Sequence, residues 1–149
     1  LTHQDLTKLD KDTVYNEVYL DKQNLERMFD CQITGMAYPY GTYNDEVVQI
    51  LKKCKIQYAR SVVSSGAFKL QKNLLIFKPT CHHADENIWE LLEKFLKEKS
   101  EEKQLFYIWG HSYEFDVNNN WKRMEEILDR LIGHNNIFYG TNREVLLPC

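Results

Sequence analysis

Glycine and proline are scarce in this chain, at 6 and 3 residues of 149. That excludes collagen-like repeats and Pro/Gly-rich low-complexity tracts, and it concentrates tight turns at a few places. The four cysteines, Cys31, Cys54, Cys81 and Cys149, fall one per segment with no CxxC spacing. This excludes a zinc knuckle and a dense disulfide framework and leaves buried or half-buried free thiols as the expectation. No apolar run approaches the ~20 residues that a membrane helix requires. A net charge of -3, with lysines interleaved among acids, gives no electrostatic footprint for nucleic acid. HExxH, Walker-type, GxGxxG and GxSxG patterns are all missing, so metalloprotease, NTPase, Rossmann dehydrogenase and serine hydrolase readings lose their usual support. No signal peptide, lipidation motif or transit sequence is visible and Leu1 is not an initiator, so the start of the natural protein is expected to be missing and the compartment stays open.

What is present suits a globular chain: 43% hydrophobic and 28% charged residues at a length that fits one domain, taken as residues 1–149. Asp10 or Asp12 caps an expected helix to about Phe29, with Val14, Val18, Leu25, Met28 and Phe29 on one side. Ile33–Tyr38 reads as a short strand, and Asn44 or Asp45 caps a helix carrying Val47, Val48, Ile50, Leu51 and Cys54. Gln57–Val63 and Leu74–Phe77 read as strands, the second stopped by Pro79. Asp85 is expected to cap an amphipathic helix through Leu96, and Leu105–Trp109 reads as a strand buried on both faces. A polar loop through Asp116 leads to a helix over Trp121–Ile132, then a strand at Ile137–Tyr139 and a short final turn capped by Thr141 or Asn142. This alternation predicts an α/β fold with a mainly parallel sheet. At this length a barrel would be only part of one.

The stretch from Met36 to Asp45 packs three tyrosines, a proline and a glycine into one strand-to-helix junction. Pro39 fixes its φ and Gly41 permits a tight turn, so the chain must leave the sheet there. The end of a strand that feeds a helix is where α/β folds place ligands. Of five histidines, His82, His83 and His111 fall at or just past predicted strand ends and His3 near the start, while His134 suits a helix C-terminus. On an extended backbone, adjacent His82 and His83 would point to opposite sides and could not both serve one ion without a bend.

The segments Leu1-Thr2-His3-Gln4-Asp5-Leu6, Ala37 to Asp45, Lys78 to His83 and Ile108 to Asp116 together resemble the polysaccharide deacetylase (NodB-homology) family, over nearly the whole chain. The resemblance implies a partial, distorted (β/α) barrel and a divalent metal, usually zinc. The substrate implied is an acetylated oligo- or polysaccharide. His3 resembles the second histidine of the family's metal-binding H-[ST]-x-x-H segment; the upstream aspartate-bearing segment has no counterpart here, so this chain is expected to be inactive alone. Tyr40 inherits the backbone oxyanion donor of the family's RxPYG motif, although Ala37 stands in the arginine's place. His111 resembles the general acid, but its usual aspartate partner has no counterpart, and Asp116, Glu114 or one of the paired histidines is left to orient it. Pro39, Trp109, Tyr113, His82 and His83 are the expected substrate contacts, and Phe77 a further aromatic wall. A non-catalytic carbohydrate-binding relative is the alternative. Neither the sugar nor the oligomeric state is indicated.

Overall fold

The computed structural model describes residues 1–147, so Cys149 lies outside the described residues. The chain divides into two compact units. One comprises Leu1–Val62, Gln71–Lys78 and the segment from Gly140, and the other Val63–Leu70 and Pro79–Tyr139.

In the first unit the Asp10 carboxylate accepts from the N–H groups of Asp12 and Thr13, satisfying donors that a helix start leaves unpaired. Helix α1 then runs over Lys11–Phe29, with Val14 and Val18 buried, and stops at Asp30, which adopts a left-handed φ of 48°. Strand β1 (Gly35–Ala37) pairs in parallel with β2 (Tyr58–Arg60), Met36 lying opposite Ala59. Asn44 caps α2 (Asp45–Lys53) by accepting from the Val47 N–H. Val47, Val48, Ile50 and Leu51 are buried from α2, in a core completed by Leu6, Tyr38, Ile56, Ala59 and Leu75. Leu74–Ile76 is a 3-10 turn rather than the expected strand. The Asn73 side chain accepts from the Leu75 N–H and curls the chain, so that only Phe77 reaches the sheet, in a parallel bridge with Arg60. Helix α6 (Asn142–Leu146) is capped by Thr141.

In the second unit β3 (Cys81–His82) pairs in parallel with β4 (Ile108–Trp109), Cys81 opposite Ile108 and His82 opposite Trp109. Helix α3 (Ile88–Lys97) begins three residues past Asp85, because the Asp85 carboxylate caps a local turn at Asn87. Ile88 and Leu92 of α3 and Ile127 of α5 (Trp121–Leu131) close over Cys81 in a small core. The expected polar loop after β4 contains a helix, α4 (Ser112–Val117). Residues 105–109 are only half-buried, not covered on both faces. Ile137–Tyr139 forms no strand; the Tyr139 hydroxyl donates to the Leu131 carbonyl and folds the segment onto the end of α5.

The α/β alternation and the parallel pairing are therefore as expected. Among the described residues the sheets are two two-stranded pairs, and no barrel is formed. Strands of two or three residues leave too little ladder to close one. No helix of the described residues is long and apolar enough to cross a membrane.

Candidate functional site

Two clusters hold the residues singled out in the sequence, one in each unit. In the first, Pro39-Tyr40-Gly41 forms a 3-10 turn after β1, closed by the Gly41 N–H on the Tyr38 carbonyl and the Thr42 N–H on that of Pro39. Tyr40 sits at φ 56°, ψ 4°, a left-handed conformation that costs a non-glycine residue about 1–2 kcal/mol. Gly41 has φ +74°, and a Cβ there would meet Val62 Cγ2 at 2.4 Å. The turn is tied to the chain start through Asp5, whose carboxylate accepts from the hydroxyls of Thr7 and Thr42. Those hydroxyls, Thr7 first, hold the Asp5 carboxyl well below the usual range. His3, itself at φ 57°, presents its ring edge-on to Tyr40 at 5.1 Å. A cavity of about 360 Å³ is lined by His3, Glu17, Lys22, Met36, Ala37 and Pro39 among others. Phe77, an expected aromatic wall, is buried and belongs to the interior.

The second cluster is built around Glu114, in the first turn of α4. Its Oε2 lies 2.6 Å from His83 Nε2 and 3.2 Å from His82 Nε2, and it accepts from the His111 N–H at 2.9 Å. Its Oε1 lies 3.4 Å from His111 Nδ1. Burial would raise the Glu114 carboxyl, but hydrogen bonds from the His111 N–H, His83 and His111 outweigh it and bring it down to about 2. His82 is depressed chiefly by burial and then by the neighbouring His83. The adjacent histidines do not diverge as expected of a strand: β3 ends at His82, and their rings lie 4.2 Å apart, both facing one carboxylate. His83 is 2% exposed and its Nδ1 has no hydrogen-bond partner. The ring packs 4.3 Å from that of Phe115. Trp109 meets His82 edge-on, and Tyr113, largely exposed, lies 5.4 Å from His111.

Two supports escaped sequence reasoning. Arg123 of α5 donates to the carbonyls of His83 and Asp85, clamping the backbone that carries the histidine pair; no local pattern pointed to it. Gly110, at φ +155°, lets β4 pass directly under the imidazoles, since a Cβ there would meet His83 Cδ2 at 2.0 Å. Glu114, one of several candidates from sequence, could have been preferred on spacing, because an acid three residues after a helix N-cap reaches back to the cap N–H. Cys81 is buried and its thiol is pushed up to about 12, chiefly by burial, consistent with an unreactive thiol; Cys31 and Cys54 are also free.

Against known proteins, residues 1–59 match the family model described as polysaccharide deacetylase. That segment is similar to the polysaccharide deacetylase family. The match takes in His3, Ala37, Pro39 and Tyr40 and stops before the second cluster. No curated protein matches the chain. Among solved structures the chain is similar to the Streptococcus pyogenes deacetylase PplD in complex with acetate, at 24% identity and a TM-score of 0.49. The alignment covers 52% of this chain and 34% of that one, so the chain spans about a third of that deacetylase's length.

The family that residues 1–59 resemble implies a metal. His3 enters no group of three potential ligands among the described residues. His82, His111 and Glu114 do place donor atoms within 4.8 Å of one another, the right residue types for zinc. Their hydrogen bonds oppose it, however. His82 Nδ1 accepts from the Ala84 N–H, so in the neutral ring the proton sits on Nε2, the nitrogen that faces Glu114. As hydrogen-bonded here, the set does not fit a metal ion.

Proposed function

We propose that this chain is part of a carbohydrate deacetylase that hydrolyses N-acetyl or O-acetyl groups, acting on an acetylated oligo- or polysaccharide. The observation that carries the reading is the family match over residues 1–59, which takes in the strained Pro39-Tyr40-Gly41 turn. Tyr40 contributes its backbone N–H to the oxyanion, because the start of a helical turn leaves such donors without an intrahelical acceptor. His111 is the general acid. For an N-acetyl substrate, water adds to the acetyl carbon and the C–N bond breaks. The leaving nitrogen takes a proton from the imidazolium, the water oxygen remaining in acetate. Pro39 in the first unit and Trp109 and Tyr113 in the second are substrate contacts; half-buried His82 lies edge-on to Trp109, while the burial of His83 suits a supporting role. His3 would supply one nitrogen to a divalent metal, most simply zinc, although no three-donor set among the described residues includes it.

Acetate release from N-acetylated chitooligosaccharides by the full gene product tests this. Release that falls about 10²-fold or more in His111→Ala supports the reading; no release from any acetylated oligosaccharide contradicts it. Ala37, at the place of the family's arginine, favours a second reading, a non-catalytic carbohydrate-binding relative. Oligosaccharide binding that survives both chelation and His111→Ala, with no acetate released, would establish that one instead.

A further inference from the structure

We propose that Trp121, held in place by Asp116, is a stacking platform for a further sugar residue of the acetylated oligosaccharide, beyond the one that meets Tyr113. The proposal rests on the substrate class given above. Trp121 opens α5, and its indole N–H donates to Asp116 Oδ1 at 2.7 Å. Phe115 packs against the ring at a centroid distance of 4.8 Å and an interplanar angle of 33°. The ring thus has one polar and one apolar anchor, and the residue is still 48% exposed. Phe115 is itself buried and lies 4.3 Å from the His83 ring, so the indole rests on a fixed base. One face of the indole is covered and the other is open to solvent. An aromatic ring whose orientation is set before a ligand arrives loses little freedom on binding.

Chemistry and position both point to a sugar. A pyranose offers weakly positive C–H groups to the negative face of an indole, and hydroxyls around its rim. Asp116 is exposed and its Oδ2 has no hydrogen-bond partner among the described residues, so it can accept such a hydroxyl while Oδ1 keeps the indole in place. A wholly apolar partner would desolvate that carboxylate without supplying a donor, and its charge repels a phosphate backbone. The position also continues the face that carries the acid. His111 caps α4 and Tyr113 lies 5.4 Å from it, and Asp116, three residues beyond Tyr113, shares its side of the helix. One helical turn is about 5.4 Å, of the order of one pyranose ring, so a chain with one residue at Tyr113 has its neighbour at the Asp116 and Trp121 pair.

Titration of the full gene product with N-acetylated chitooligosaccharides, from disaccharide to hexasaccharide, tests this. In wild type the hexasaccharide is expected to shift the Trp121 indole N–H resonance, identified by its loss in Trp121→Phe. Trp121→Ala should bind the hexasaccharide about 3- to 10-fold more weakly, the size of an aromatic contact, and the disaccharide as wild type does. The KM for the hexasaccharide should rise by the same factor with kcat little changed. Asp116→Ala keeps the ring on Phe115 but frees the indole, so it should show a smaller loss in the same direction. An indole resonance unmoved by the hexasaccharide, which needs no variant to observe, overturns the proposal, as does an unaltered length dependence in Trp121→Ala. A resonance that moves with protein concentration and not with sugar also overturns it, and makes the face a contact between copies. Length-dependent binding through Trp121 with no acetate released would sink the deacetylase reading and leave this position intact. Acetate release with the hexasaccharide KM unchanged in Trp121→Ala would do the reverse.

Discussion

Glu114 Oε2 lies 2.6 Å from Nε2 of His83, a histidine that is 2% exposed, and this contact links the interior of the second unit to the exposed face that carries His111. Charge-assisted bonds of this length are among the stronger ones in proteins, and a buried group that loses its only partner bears the desolvation cost. The histidine pair, the helix start and the acid therefore stand or fall together.

Gly110→Ala should break that assembly. The new Cβ would meet His83 Cδ2 at 2.0 Å and His83 Nε2 at 2.7 Å, with His82 Nε2 at 3.2 Å behind. A loss of about 1–3 kcal/mol is expected from overpacking, together with displaced His82 and His83 resonances. Denaturant unfolding and imidazole spectra check it; unchanged stability with unchanged resonances would contradict the packing described.

Acid should weaken the second unit in two stages of the same sign. His82 is depressed from 6.5 when folded, so the unfolded chain binds the proton more readily and stability falls as pH drops below about 6.5. Glu114 is lowered from 4.5 to about 2, so its contribution is fully present above about 4.5 and is lost as pH falls towards 2. Melting temperature against pH should decline through both windows in wild type and lose the lower one in Glu114→Gln. A profile that is the same in both proteins would contradict this.

Tyr38→Phe tests the first unit. The buried Tyr38 hydroxyl donates to the Leu75 carbonyl at 2.6 Å, and burial, with Tyr43 nearby, pushes its pKa up, so the group stays a donor. Removing it leaves a buried carbonyl unpaired, at about 1–3 kcal/mol. Chemical denaturation should show that loss; a neutral effect would mean that water reaches Leu75.

Tyr40→Gly separates backbone from side chain. Glycine accepts φ 56° without strain and keeps the N–H, so activity of the full gene product should be retained. Losing an oxyanion donor costs about 10²–10³-fold. A loss of that size in Tyr40→Gly would place the function in the tyrosine ring instead.

Helical content was largely legible in the sequence because apolar spacing and caps are local: Asp10, Asn44 and Thr141 cap as their residue types suggest. The strands were legible only as positions. Their lengths depend on which neighbours pair, and Asn73 and Tyr139 divert the chain through contacts that apolar alternation does not report. Within the site, the turn at Tyr40 could be read from Pro39 and Gly41. The convergence of His82 and His83 could not, because it follows from β3 ending between them and from Arg123, forty residues away in sequence, holding the chain end.

The most direct measurement is mass analysis of acetate formed when the full gene product acts on an N-acetylated oligosaccharide in water enriched in heavy oxygen. Hydrolysis with His111 as the acid predicts one heavy oxygen per acetate released and a yield that collapses in His111→Ala. No acetate, or labelled acetate formed equally well by His111→Ala, would contradict the account.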